Sequence, residues 1–215
     1  AAALLLRTLL ARYPAEWPLW QTVNDIGRKI PELLTGDTDP ETATNAAGRL
    51  CPSVQSELTA LTLTHFVADT ARECPDAALN VGLVTTDAAG VKALRSACGA
   101  NVHLTVVTPD ARGKERLATA LEKIEGVAVV TAEKAGTFDV VIVPGGLVRD
   151  VTPASALASL AVMVKPAGWL LVADTAPNDL TNFLEGIDAD WWVEANGTFY
   201  PPMPDIAGWL SAVKQ

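Results

Sequence analysis

Five short apolar runs, residues 79–84, 102–107, 127–131, 138–143 and 169–173, follow one another at near-regular spacing through the second half of the chain. Each is almost continuously apolar and rich in Val, as a strand must be when helices cover both its faces. The intervening segments 91–98, 113–125 and 155–164 have the length and composition of crossover helices, and parallel strands need such crossovers because a tight hairpin cannot join them. The pattern therefore predicts an α/β fold with a doubly wound, mostly parallel sheet.

The first part of the chain has a different rhythm. Residues 4–13, 19–34 and 53–72 read as helices separated by prolines, with a possible break near Pro31 and Ser53 as the N-cap of the third. Val54, Leu58, Leu61, His65 and Ala68 fall on one face of that third helix, which predicts a packed, core-facing His65. Cys74-Pro-Asp76 marks a junction. The expected organisation is a helical N-terminal or lid subdomain over residues 1–74 and a Rossmann-like core over 75–215.

Bulk properties narrow the function. A net charge of -9 argues against nucleic acid and against an anionic membrane surface, since both require clustered Lys and Arg. No run reaches the roughly 20 apolar residues that span a bilayer. Cys51, Cys74 and Cys98 are odd in number and widely spaced, so they encode neither a disulfide framework nor a metal site, and a reducing cytoplasm is the expected location. The chain opens on Ala rather than Met, as a fragment of a longer chain would. Trp17, Trp20, Trp191, Trp192 and Trp209 are expected to pack in the core and lid.

Several segments together resemble the methyltransferase domain of type I polyketide synthases and related fatty acid synthases. Ile26 to Pro40 contains Leu33-Leu34-Thr35-Gly36 followed by Asp37 and Asp39-Pro40, similar to the lid of that family. Phe138 to Val143, then Leu160 to Val172 with Lys165-Pro166-Ala167-Gly168, is similar to its fourth strand, helix and fifth strand. Asp190-Trp191-Trp192-Val193, Tyr200-Pro201-Pro202 and Trp209-Leu210 resemble the family's closing segment. The likeness runs from about residue 17 to the end.

The resemblance implies an S-adenosylmethionine site, and this sequence departs from it. Active members end the first strand in an acidic residue and three spaced glycines, so that the backbone passes close to the cofactor. Here Asn80 replaces the acid, Gly82 keeps the first glycine, and Val84 and Thr86 occupy the other two positions. The ribose-binding carboxylate of the second strand falls on Val106, with Asp110 four residues later. The histidine base after the fourth strand falls on Val148, and Asp174 stands near its partner carboxylate. His103 opens the second strand and is too far along the sheet edge to substitute. Pro144-Gly145-Gly146 reads as a simple turn at a strand's carboxyl end.

These departures lead to the expectation of a pseudo-methyltransferase with no cofactor and a structural role, whose partners are neighbouring synthase domains, a ketoreductase or a dehydratase. The rival is an active S-adenosylmethionine-dependent C-methyltransferase acting on the α-carbon of a β-ketoacyl group carried on acyl carrier protein. No P-loop, Ser/His/Asp set or metal-ligand motif is evident.

Overall fold

The structure is a computed structural model that describes residues 2–39, 54–145, 152–174, 179–186, 192–195, 197–200 and 206–214. The elements, in chain order, are α1 (Ala2–Arg12), α2 (Trp17–Thr35), α3 (Val54–Glu73), β1 (Leu79–Val84), α4 (Ala88–Ala97), β2 (Val102–Thr108), α5 (Ala111–Leu121), β3 (Val127–Thr131), β4 (Phe138–Val143), α6 (Pro153–Ala161), β5 (Val164–Val172), α7 (Asp179–Glu185), β6 (Val193–Ala195), β7 (Thr198–Tyr200) and α8 (Ile206–Val213). Short 3-10 turns cover Pro14–Glu16 and Ala132–Lys134.

The chain divides into two units: residues 1–58 with 176–203, and residues 59–175 with 204–215. The second unit holds a five-stranded parallel sheet in the order β3-β2-β1-β4-β5. This is the doubly wound arrangement that the apolar runs predict. β4 lies between β1 and β5 and shows why those runs are almost continuously apolar. Val140 and Ile142 pack on one face with Val67 and Ala71 of α3, Val91 and Leu94 of α4, and Leu117 and Leu121 of α5. Val141 and Val143 pack on the other with Leu160 of α6. A strand covered on both sides has no polar face to show.

Three helix starts are set by capping side chains. Asp87 accepts from the Ala89 and Gly90 amides to open α4, Asp110 from Gly113 to open α5, and Thr152 from Ser155 to open α6, where Pro153 takes the first turn. In the first unit α2 runs through Pro31 without ending there, and stops at Gly36, whose φ of 77° closes the helix in the left-handed region. β6 and β7 form a separate two-stranded antiparallel sheet in that unit.

Three expectations need correction. The division falls inside α3 rather than at residue 74, because Val67 and Ala71 tie most of that helix to the sheet. The core face of α3 is Leu63, Val67 and Ala71, while Leu58 and Leu61 are exposed, and His65 is exposed instead of packed. Apolar residues lie all round this helix, so its periodicity could not single out the buried side. Trp17 is likewise more than half exposed, at 52 %, whereas Trp192 is partly buried and donates its indole N–H to Gly186 O at 2.9 Å. Ser53 and Trp191 lie outside the described residues. Among the described residues, no helix is long and apolar enough to cross a membrane.

β5 begins five residues earlier than the sequence suggests because Lys165 to Gly168 loop out between two paired stretches. Phe138 pairs with Val164 and Val140 already pairs with Trp169. Ala167 in this bulge sits at φ 63°, the only non-glycine residue at positive φ among those described. Its Cβ crowds the following carbonyl there, at a cost of roughly 1–2 kcal/mol. Gly168 beside it has no room for a side chain, since a Cβ would stand 2.8 Å from Asp139 O. Ala167→Gly should therefore raise stability by about 1 kcal/mol, part of the relief being offset by the freer unfolded chain. Urea unfolding of the two proteins checks this, and an unchanged or lower midpoint would count against the strain.

Candidate functional site at the carboxyl edge of the sheet

In an open parallel sheet, ligands bind where the strands end and the order reverses. Here that place lies beyond Val84 of β1, Thr108 of β2 and Val143 of β4, with β1 and β4 flanking the switch point.

The turn after β1 is tightly bonded. The Thr85 amide donates to Val107 O at 3.3 Å, the Asp87 amide to Thr85 Oγ1 at 3.1 Å, and both Asp87 carboxylate oxygens are engaged at the start of α4, each at 2.9 Å. Val84 is partly buried and Thr86 exposed, both at the edge itself. β2 runs one residue further than its apolar pattern, to Thr108, whose side chain is fully buried. Its hydroxyl lies 3.0 Å from Asp110 O and 3.2 Å from Val130 O. Asp110 is thus two residues beyond the strand end. Its Oδ1 accepts from the Gly113 amide at 2.6 Å, and the residue is exposed.

The other predicted positions lie elsewhere. Asn80 is the second residue of β1 and pairs opposite His103, at the amino end of the strands. Gly82 sits in mid-strand between Thr105 and Val141, buried, and the ring of Phe138 fills the space a side chain would need: a Cβ would stand 2.5 Å from Cδ2. Val106 is fully buried in the core. The structure thus brings Val84 and Thr86 to the edge, and leaves Asn80, Gly82 and Val106 within the sheet. Asp174, partly buried, follows β5 by two residues. Gly145, at φ 138°, continues the chain from Pro144 after β4, and a Cβ there would meet Ala173 O at 3.7 Å. Gly146 and Val148 lie outside the described residues.

At the opposite end a polar cluster went unrecognised in the sequence. The Asn80 amide and Nδ2 both donate to Asp139 Oδ2, at 2.8 and 2.9 Å, and Lys165 Nζ reaches both Asp139 oxygens, at 2.9 and 3.1 Å. Lys165 also lines a shallow groove with Ala161, Val164, Pro166, Gly168 and Leu170, away from the carboxyl edge. The only hint in the sequence was the charge in Phe138-Asp139-Val140, an acid inside an otherwise apolar strand. Burial pushes the Asp139 carboxyl up, but the Asn80 amide, the Lys165 ammonium and the Asn80 side chain outweigh it and hold it below its usual value. A carboxyl lowered in the folded state adds stability above its unfolded value, near 3.8, and that contribution is lost as pH falls through the lower folded value. Asp139→Asn should therefore cost roughly 1 kcal/mol at neutral pH, the worth of a net hydrogen bond at a partly exposed site, and the gap to the parent should close below pH 3.8. Denaturation at several pH values tests this, and a gap constant with pH would dismiss the charge as its source.

No protein-family model matches this sequence, and no curated protein matches it either. Solved structures do resemble it in fold. The CurJ carbon methyltransferase is similar at a TM-score of 0.70 and 12% identity, over 100% of this chain and 63% of that one. The citrinin polyketide synthase CMeT domain is similar at 0.70 and 13%, over 97% and 61%. The trans-methyltransferase CalH, in complex with SAH, is similar at 0.65 and 15%, over 97% and 64%. This chain therefore spans less than two thirds of each. The likeness establishes the class I methyltransferase, Rossmann-like fold, and the structural neighbours include carbon methyltransferases and a polyketide synthase domain. The expectation of no cofactor is corrected by the same comparison, because a protein of this fold was solved with SAH bound.

Proposed function

We propose that this chain is a methyltransferase-type domain of a polyketide synthase that takes an S-adenosyl ligand at the carboxyl edge of its sheet and serves the synthase structurally, without transferring a methyl group. Its partners on this reading are neighbouring domains of the same synthase, a ketoreductase or a dehydratase.

Ligand binding draws support from Asp110. One carboxylate oxygen caps α5 and the other has no protein partner among the described residues, at the end of the strand next to β1. A carboxylate in that place can accept from a ribose hydroxyl, which the buried Val106 cannot do. The Thr85–Asp87 turn would form the other wall. S-adenosylmethionine, when bound, supplies the activated methyl group; its demethylated form SAH shares the ribose.

The observation that carries the non-catalytic half is the placement of the histidines. Removing a proton from a carbon between two carbonyls needs a positioned base. The sequence holds 2 histidines. His65 is exposed on α3, and His103 sits opposite Asn80 at the amino end of the sheet. Of the carboxylates at the carboxyl edge, Asp87 has both oxygens engaged at the start of α4, and Asp110 caps α5 with one oxygen and on this reading is given to the ribose with the other.

Calorimetry and thermal unfolding with S-adenosylmethionine and SAH test the reading. Ligand at 100 times its dissociation constant should add about 2.7 kcal/mol of stability. Asp110→Asn keeps a capping side chain but loses the charge, and should weaken binding about tenfold, the equivalent of about 1.4 kcal/mol. An unmoved melting temperature at millimolar ligand would falsify the binding half. Methylation of a β-ketoacyl group on acyl carrier protein would overturn the non-catalytic half.

A further inference from the structure

We draw no further inference here: the strongest candidate, the apolar face that α8 exposes through Ile206, Leu210 and Val213, carries nothing because nothing in the structure shows what covers it.

Discussion

Ile142→Ala is expected to remove roughly 2–5 kcal/mol of stability, enough to threaten a domain of ordinary stability, which has about 5–15 kcal/mol in all. Ile142 is 1% exposed in the interior strand β4, where it pairs with Leu83 of β1 and Leu171 of β5. Removing its side chain beyond Cβ leaves a cavity facing α3, α4 and α5, all of which contribute to the same core cluster. The strand's backbone is fixed by bonded neighbours on both sides, so the site has little freedom to collapse. Ile142→Val should cost only about 0.5–1.5 kcal/mol, and the ratio of the two losses is read from denaturant midpoints. Equal and small losses would mean that the sheet repacks freely.

Gly82→Ala should be nearly as damaging, at roughly 1–3 kcal/mol, by the opposite fault of overpacking. The added Cβ would fall within 2.8 Å of three ring carbons of Phe138, a side chain that is itself only 5% exposed. Shrinking the ring should make room, so Gly82→Ala combined with Phe138→Leu should be less damaging than the sum of the two single changes, a coupling that a double-mutant cycle measures directly. Strict additivity would separate the two residues and return Gly82 to the role of a glycine kept for a ligand's approach.

That second experiment touches the point where the sequence was hardest to interpret. The five strands and their parallel order were legible because burial on both faces leaves a plain signature of apolar β-branched runs. The edge was not legible to the same degree. A glycine within an apolar run reads equally as a turn near a cofactor or as a gap under an aromatic ring 56 positions later, and nothing local to Leu79–Val84 separates the two. Thr108 lies one residue beyond the apolar run 102–107 yet belongs to β2, and a residue preceding proline favours extended backbone. With Thr108 in the strand, Asp110 lies two residues past the strand end instead of three. The outward side of α3 escaped for another reason: with Leu58, Leu61, Leu63, Phe66 and Val67 spread round the helix, only tertiary packing decides which of them is buried.

The Asn80, Asp139 and Lys165 cluster sits at one end of the strands whose other end forms the candidate site. From Asn80 to Val84, the last residue of β1, is four steps of about 3.3 Å, roughly 13 Å in all, which is beyond the distance at which substitutions usually influence one another. Changes that firm up the amino end, Ala167→Gly among them, should therefore add to changes at the carboxyl end without altering their readout. This gives a practical route to a sturdier background in which glycines could be returned to positions 84 and 86, and any gain in ligand affinity measured apart from the stability those glycines would cost.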